Sequence, residues 1–403
     1  MSALPTPEAN WYGVNPYQDD LKTDPHERYR HLRETAPVNL TPDGNWRLSR
    51  YADIQKLLKN SNVGMRHLDG LIPEHTREQS DSSKFILRLD PPDHDRIRAL
   101  VSKAFTPRAL AAIQPQVQAL TDAELDKTTA HGKIDFTEHL ALLVPAASMC
   151  CMLGIGFEDR NRLSTLVSEV TYLLAIHAFP ELEETANRAL EELGAYVYEL
   201  IEQRRANPGE DILSGLVAAE ESGDSLSIDE LMQQSIGLLV AGLETTIGVI
   251  GNGMRCFAQH PDQFEKLAAD PTLIDTAVEE CLRFDPSIPQ TIRVLWEDTR
   301  FGDYVIPADS VVNVLLIAAN RDPEVFTDPD RFDITRQEAK HCSFGGGIHF
   351  CLGSHLARMN AAIAFNSIAS RIKDIELDDA GFEWAPSLFR IPGKVPARFT
   401  PRT

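Results

Sequence analysis

The sequence has too little positive charge for a typical nucleic-acid-binding protein. Its 403 residues include 39 lysines and arginines against 60 aspartates and glutamates, a formal net charge of −21 at pH 7. Binding to nucleic acid needs a basic surface that neutralises phosphate groups. The acidic residues are spread along the chain, and no run of like charges is long enough to indicate a charged tail. We therefore expect no nucleic-acid partner.

The chain also lacks the features of a secreted protein. Residues 1–20 are polar and proline-rich, without the basic segment and the apolar segment that make up a signal peptide. The six cysteines show no spacing typical of a disulfide framework, and a chain of this length does not need such cross-links. These absences indicate a reducing, cytoplasmic location. The cysteines are Cys150, Cys151, Cys256, Cys281, Cys342 and Cys351.

Long hydrophobic runs are scarce as well. One stretch, residues 140–157, contains no charged side chain and approaches the length of a membrane span. Pro145 and Ser148 interrupt this stretch, and it has no flanking basic cluster of the kind that marks the cytoplasmic end of a span. We interpret it as a buried core helix and expect no association with a membrane.

The hydrophobic pattern indicates a mainly α protein with small β-sheets. Apolar residues recur at helical spacing in long segments, whereas strand patterns are fewer and shorter. No internal repeat stands out, and the polar stretches 62–83 and 207–224 are the best loop candidates. The predicted helices are 114–129, 180–205, 227–260, 262–284 and 352–372, and the predicted strands are 45–48, 302–306 and 311–317.

The most informative segment is a glycine-rich loop that leads to a cysteine. Residues 343–353 read Ser-Phe-Gly-Gly-Gly-Ile-His-Phe-Cys-Leu-Gly, and a helical pattern begins directly after Cys351. Consecutive glycines let a backbone approach a flat ligand, and the start of a helix favours a thiolate. The residues alone leave three readings open: a metal-binding thiolate, a buried free cysteine and a zinc site. The zinc site would use Cys342, His349, Cys351 and His355.

This loop resembles the signature of the cytochrome P450 superfamily, F-x-x-G-x-H-x-C-x-G. The fixed positions are filled by Phe344, Gly347, His349, Cys351 and Gly353. The resemblance implies that these residues surround a haem b group and that the Cys351 thiolate binds its iron. It also implies one domain over residues 1–403 with the mainly α cytochrome P450 fold, although length alone would allow two or three domains.

A second segment, residues 239–246, lies in a mostly apolar predicted helix that carries several glycines. Each glycine costs a helix about 1 kcal/mol relative to alanine, which suggests close packing against this backbone. A charged Glu244 there needs a partner or a function, and Thr245 can bond to a carbonyl one turn earlier. A glycine-rich packing face is the alternative. The segment is similar to the family pattern A-G-x-D/E-T, which implies that Glu244 and Thr245 form an acid–alcohol pair that delivers protons beside the haem.

Residues 90–98 resemble another family segment, D-P-P-x-H-x-x-x-R. His94 and Arg98 are four residues apart and share one helix face, and most such pairs are solvated. The resemblance implies instead that they bind the haem propionates, together with Arg293 and His349.

Glu280 and Arg283 match the family's E-x-x-R pair. Residues three apart lie on one face of a helix and can form an ion pair. In the family, an arginine from a later P-E/D-R-F segment joins this pair, and Arg331 stands at that position. The resemblance implies a structural triad near the haem-binding loop.

Together these motifs imply a monooxygenase that inserts one oxygen atom of O₂ into a hydrophobic small molecule by hydroxylation or epoxidation. No phosphate-binding loop lies between a strand and a helix, so electrons from NAD(P)H are expected through a separate ferredoxin and its reductase. The predicted basic patch for ferredoxin consists of Arg96, Lys103, Arg108, Lys340 and Arg358. The positions that match the family's substrate-facing segments are Met65, Leu68, Leu238, Ala241, Ile288, Pro289, Ile292 and Phe389.

Three other functions stay open at this point. They are a peroxygenase of the same fold, a non-enzymatic haem protein such as a gas sensor or carrier, and a family member that rearranges or couples its substrate. Glu244 and Thr245 argue against the first two, because these functions need no controlled proton supply. Only product analysis separates the third from monooxygenation.

Overall fold

The structure, a computed structural model, describes residues 7–14, 24–66, 84–175, 179–221, 226–338 and 340–402. It consists of two compact units, each assembled from separate stretches of the chain. The prediction of one domain over residues 1–403 stays a prediction. The sheet unit contains Met1–His94, Ile288–Arg331 and Glu338–Cys351, and the helical unit contains Asp95–Ser287, Phe332–Gln337 and Leu352–Thr403.

Helices dominate the described residues, and the strands are short. The α-helices are α1 (His26–Thr35), α2 (Tyr51–Leu58), α3 (Asp93–Val101), α4 (Pro107–Thr128), α5 (Leu143–Leu153), α6 (Arg160–Thr171), α7 (Glu183–Ala206), α8 (Ile212–Glu221), α9 (Ile228–Gln259), α10 (Pro261–Ala269), α11 (Ile274–Phe284), α12 (Leu316–Ala319) and α13 (Ser354–Ala369). The strands are β1 (Val38–Leu40), β2 (Trp46–Leu48), β3 (Val63–Gly64), β4 (Lys133–Asp135), β5 (Thr291–Leu295), β6 (Thr299–Phe301), β7 (Tyr304–Ile306), β8 (Val311–Val314), β9 (Ile372–Leu377), β10 (Glu383–Trp384), β11 (Pro392–Lys394) and β12 (Pro396–Pro401).

The sheet unit is built on a five-stranded sheet in the order β1-β2-β8-β5-β3. Strands β2 and β8 are parallel, and the other neighbours are antiparallel. Helix α2 packs on this sheet because Ile54 and Leu57 share a buried apolar cluster with Leu48 and Val312. This packing fixes the end of α2, on which the glycine-rich loop rests.

The helical unit contains α9, a helix of 32 residues. A capping box starts this helix, because Ser227 and Glu230 each accept a hydrogen bond from the other's backbone N–H. Phe257 packs its ring against Phe264, Phe332 and Phe365 at centroid distances of 5.5, 5.6 and 5.3 Å. Among the described helices, α9 alone is long and apolar enough to cross a bilayer, yet 72% of its most apolar window is buried in the protein, as in a core helix.

The glycines of α9 lie where neighbouring side chains approach its backbone. A side chain at Gly253 would overlap with the ring of Phe365, and one at Gly248 would overlap with Ser287. The expectation of close packing against this backbone is therefore confirmed. At Gly248 and Gly253 the groups that pack against α9 are side chains of the protein. This agrees with the alternative interpretation of the segment as a glycine-rich packing face.

The uncharged stretch 140–157 is confirmed as a core segment. It forms the end of a π-helical turn and then α5, in which every residue except Cys151 is buried. Three predictions of secondary structure were wrong at least in part. The predicted strand 311–317 ends at Val314, and Leu316 and Ile317 belong to α12. Residues 207–224, interpreted as a loop, contain α8, and the predicted helix 262–284 is broken into α10 and α11. The break follows from Pro271 together with Asp270, whose side chain accepts a hydrogen bond from Thr272 N.

Candidate functional site

The glycine-rich loop is folded tightly against the end of α2. Gly345 and Gly347 have φ angles of 67° and 66°, in the left-handed region that favours glycine. A side chain at Gly347 would also overlap with the carbonyl oxygen of Leu58. Cys351 N donates a hydrogen bond of 2.9 Å to Phe344 O and closes the loop. These constraints fix the backbone position of Cys351.

The two cysteines of this segment lie in different environments. Cys342 is fully buried beside Gln55, and burial raises the pKa of its thiol to about 11, so it is neutral. Cys351 is half-buried and stands shortly before Ser354, the first residue of α13. Among the residues that the structure describes, no three His, Cys, Asp or Glu side chains form a metal cluster, which leaves the zinc alternative without a ligand set. Cys351 stays the candidate for a single thiolate ligand.

Asn320 anchors the start of the loop, a role that the sequence analysis did not predict. Its side-chain oxygen accepts a hydrogen bond of 2.7 Å from Cys342 N, and its side-chain nitrogen donates one of 2.7 Å to Ser343 Oγ. The available signal was its position after the apolar strand β8 and α12, because a buried asparagine needs hydrogen-bond partners.

Three predicted propionate-binding residues come together in the sheet unit. The rings of His94 and His349 lie 4.5 Å apart between centroids. Burial lowers the pKa of His349, and the nearby positive charge of Arg293 acts in the same direction. Asp90 is the acidic residue of this group, with Oδ1 at 3.9 Å from His349 Nε2. Arg98 follows His94 by one turn on α3, and its side chain is half-buried.

Arg293 is buried near Asp90 but forms no ion pair with a described carboxylate. Its side chain is 4% exposed, and Nη1 donates to its neighbour's carbonyl, Ile292 O, at 2.6 Å. Within the described ranges, no carboxylate oxygen lies within 4.0 Å of this guanidinium. Burial lowers the pKa of Arg293 to about 10. The charge of Asp90 opposes this shift only in part, and an anionic ligand in contact with the guanidinium would stabilise the buried cation further.

These residues fit the polar edge of a haem group. Haem b has two propionate groups that need cations or hydrogen-bond donors as partners, and Arg293, His94 and His349 lie together beside a single named acid, Asp90. Its iron would need a protein ligand, and the same unit presents the half-buried Cys351 at the end of the glycine-rich loop, which is held in place by its packing on α2. The donor set therefore suits this cofactor.

Glu244 is a buried acid on α9 whose side chain is directed toward α6. It is 4% exposed, and its Oε1 accepts a hydrogen bond from Ser168 Oγ. Burial raises the pKa of Glu244, although the hydrogen bond from Ser168 acts in the opposite direction. Ser168 was missed by the sequence analysis, because nothing in the α6 sequence marks it.

Thr245 has a different partner from Glu244. Its hydroxyl donates a hydrogen bond of 2.8 Å to Ala241 O, and Thr246 makes the same contact with Gly242 O at 3.0 Å. In the described part of the chain, no hydrogen bond joins Glu244 to Thr245. The acid and the alcohol thus share one helical turn but are held by separate groups.

Comparison with known proteins decides the family. A family model described as Cytochrome P450 matches residues 5–373. This chain belongs to the cytochrome P450 family. The predicted fold class is confirmed as well, because the crystal structure of CalO2 superposes with a TM-score of 0.88 at 31% identity and covers 97% of this chain and 99% of that chain.

Curated relatives of this cytochrome P450 cover nearly the same length. Cytochrome P450 107B1 of Saccharopolyspora erythraea is 36% identical over 375 residues, which are 90% of this chain and 91% of that protein. Vitamin D(3) 25-hydroxylase of Pseudonocardia autotrophica is 37% identical over 354 residues, which are 86% of this chain and 85% of that protein. This cytochrome P450 is a haem-thiolate monooxygenase that binds haem b and acts on small molecules.

Glu280 lies at the centre of a buried network in the helical unit of this cytochrome P450. Arg283 Nε and Nη2 donate to its two carboxylate oxygens at 2.7 and 2.8 Å, and Asp333 N donates at 2.8 Å. Arg336, which the sequence analysis did not name, also contacts this carboxylate, with Nε 3.2 Å from Oε2. Arg331 has an exposed side chain, and its part in the triad stays a prediction.

The predicted substrate-facing positions are divided between the two units. Those in the sheet unit are the half-buried Met65, Ile288 and Ile292 and the buried Pro289. Those in the helical unit are the buried Leu238 and the half-buried Ala241 and Phe389. Leu68 lies outside the described residues.

Proposed function

We propose that this cytochrome P450 inserts one atom of O₂ into a hydrophobic small molecule by hydroxylation or epoxidation, with electrons from NAD(P)H that arrive through a ferredoxin and its reductase. The observation that carries the proposal is Glu244, a buried carboxylic acid directly before Thr245 on α9. A buried acid with a perturbed pKa is typical of functional sites. Oxygen activation in a closed apolar pocket needs such a controlled proton supply, whereas peroxide-driven chemistry and gas carriage do not.

In this proposal Cys351 is the iron ligand, and the glycine-rich loop holds it in place. Phe344, Gly347 and Gly353 shape the loop around the cofactor. His94, Arg98, Arg293 and His349 bind the propionates, and the buried Arg293 gains a direct ion pair, which no described carboxylate forms with it. When bound, the haem supplies the oxygen-activating chemistry, which a thiolate ligand promotes.

Glu244 and Thr245 then divide the proton transfer between them. Because burial raises the pKa of Glu244, this acid holds a proton closer to neutral pH than an exposed glutamate does. Rotation of its side chain carries the proton from the α6 side toward Thr245. The Thr245 hydroxyl, which donates to Ala241 O, keeps lone pairs that can accept a hydrogen bond from an ordered water.

Spectroscopy of the reduced protein tests this assignment. The carbon monoxide complex should show the strongly red-shifted Soret band of thiolate ligation, and Cys351→His should abolish the shift. Cys342→Ala is the matched control, because that neutral thiol is fully buried beside Gln55 and should leave the band unchanged. A wild-type spectrum typical of histidine ligation would contradict the proposal.

The substrate in this proposal is a small to medium apolar compound such as a terpenoid, an aromatic or a steroid-like ring system. The side chains at Met65, Leu238, Ile292 and the other matched positions are apolar, as a site for such a ligand requires. A relative named for the 25-hydroxylation of vitamin D(3) supports this class.

The ferredoxin in this proposal docks on the surface that carries the cysteine loop. Ile348 and Phe350, beside Cys351, are 44% and 41% exposed, which offers an apolar contact for a partner. Lys340 is exposed in the unit that carries this loop and adds positive charge, and Lys103 and Arg108 are exposed in the helical unit. Arg96 and Arg358 contribute less than the sequence predicts, because they form ion pairs with Glu230 and Glu279. The free cysteines suit a cytoplasmic location.

A further inference from the structure

Ser168 connects the buried acid of α9 to a more open position on α6. Its hydroxyl donates a hydrogen bond to Glu244 Oε1, and among the described residues it is the only side chain that hydrogen-bonds to this carboxylate. Glu244 is 4% exposed, whereas Ser168 is half-buried. A hydroxyl can donate one hydrogen bond and accept others, so Ser168 can bind a water molecule while it holds Glu244.

The backbone around Ser168 is well anchored. Thr171 Oγ1 donates a hydrogen bond of 2.7 Å to Ser168 O, and α6 packs against α9 and α7 within the helical unit. Leu166 and Val167 are buried, which fixes the face that α6 presents to its neighbours. The contact between Ser168 and Glu244 therefore results from helix packing rather than from a mobile loop.

We propose that Ser168 is a positioning residue that seats Glu244 on the α6 side and passes protons to it from solvent. This inference rests on the proposed role of Glu244 in proton supply. A proton from a hydronium ion binds Ser168 Oγ while the proton already on Oγ moves to Glu244 Oε1. One O–H bond breaks and one forms at each transfer, and a water molecule is left behind.

The other polar groups near this contact are less suited to the task. Burial raises the pKa of Tyr172, and the charges of Glu244 and Glu169 raise it further, so this phenol keeps its proton. Glu169 is paired with Arg188 at 3.7 Å. Ser168 is thus the group from which a proton reaches Glu244 directly, along one hydrogen bond.

Infrared spectroscopy of the substrate-free holoenzyme tests the positioning directly. The carbonyl band of protonated Glu244 is identified by its loss in Glu244→Gln. Ser168→Ala should increase this band at a fixed pH near neutrality, because the lost hydrogen bond stabilises the charged form. Ser168→Thr, which keeps the hydroxyl, should restore the wild-type band. Ser164→Ala is the matched control, because Ser164 lies one turn earlier on α6, is buried, and within the described residues has no hydrogen-bond partner for its Oγ.

Turnover supplies the second readout. Oxygen-dependent turnover should fall by about tenfold in Ser168→Ala, with KM unchanged, and recover in Ser168→Thr. A wild-type band and rate in Ser168→Ala would overturn the inference about Ser168 alone, provided that Glu244→Gln slows turnover. Unchanged turnover in Glu244→Gln would instead overturn the proposed role of Glu244, whatever the infrared band shows.

Discussion

Arg336 Nε lies 3.2 Å from Glu280 Oε2, and the two side chains are 9% and 1% exposed. Removal of one partner from a buried ion pair costs about 3–5 kcal/mol when the remaining charge is left without compensation. In Arg336→Ala the carboxylate of Glu280 keeps its two hydrogen bonds from Arg283, so the expected cost is lower, about 1–3 kcal/mol. Arg336→Ala should therefore lower the thermal unfolding midpoint clearly. Arg331→Ala, at the exposed position that the family motif indicates, should cost about 1 kcal/mol or less. A larger loss in Arg331→Ala would make Arg331 the third member of the triad.

Substitution of Thr245 and substitution of Glu244 should impair the reaction in two different ways. Thr245→Ala should continue to consume NAD(P)H but release hydrogen peroxide, because protons are no longer directed to the correct oxygen. Glu244→Gln should slow oxygen-dependent turnover by about a hundredfold, because the proton supply is removed. Product, peroxide and NAD(P)H assays separate these outcomes.

Thr246→Ala is the control for this pair, because Thr246 makes the same backbone hydrogen bond one residue later. It should keep the wild-type ratio of product to NAD(P)H. Normal coupling in Thr245→Ala would remove Thr245 from the mechanism, and the sensor or rearrangement functions would gain weight.

Glu244 should make stability depend on pH. Burial raises its pKa above the ordinary value of 4.5, so the folded protein binds this proton more tightly than the unfolded chain does. The contribution of Glu244 to stability is therefore full below pH 4.5 and is lost as the pH rises through the raised, folded-state pKa. Glu244→Gln should be more stable than the wild type above that range and should lose this advantage at acidic pH. Thermal unfolding at several pH values measures the stability of Glu244→Gln relative to the wild type. Glu191 is exposed, so an equal increase in stability in Glu191→Gln would show that burial of Glu244 is not the cause.

Two glycine-to-alanine substitutions should have opposite effects on stability. Gly253→Ala should destabilise the protein by about 1–3 kcal/mol, because the new methyl group would overlap with Phe365. Gly194→Ala should stabilise it by about 0.5–1 kcal/mol, because Gly194 lies in α7 and nothing lies within 4 Å of an added methyl group. Thermal or denaturant unfolding compares them. A stabilising Gly253→Ala would show that α9 can move away from α13 at no cost.

Electron transfer from a ferredoxin should depend on salt. Turnover should slow as ionic strength rises, because exposed charges on the two proteins are screened. Lys340→Glu should lower the rate of ferredoxin-dependent turnover more than Arg358→Gln does. Lys340 is exposed, whereas Arg358 already forms an ion pair with Glu279 at 2.6 Å. Steady-state rates at several ferredoxin concentrations measure the effect. Full activity with NADPH alone would remove the need for a ferredoxin.

Predictions from the sequence succeeded where the signal is local. Helix α9 begins and ends within one residue of the predicted 227–260, because its apolar periodicity is long and Ser227 with Glu230 forms a readable cap. Predictions failed where a short break interrupts the pattern, as at Pro271 between α10 and α11, or where a short helix is flanked by polar residues, as in α8. Such features change the hydrogen bonding of only a few residues and leave a weak periodic signal.

The sequence by itself determined the family, the position of Cys351 in its loop and the neighbouring Glu244 and Thr245, because each of these rests on residues close together in the chain. Only the tertiary structure decided which groups hold them. Ser168 stands 76 residues before Glu244, and Arg336 stands 56 residues after Glu280. Contacts over such separations depend on how helices and loops pack, and no local pattern of hydrophobic or polar residues encodes them, unlike the buried Glu280–Arg283 pair, whose members lie three residues apart on one helix.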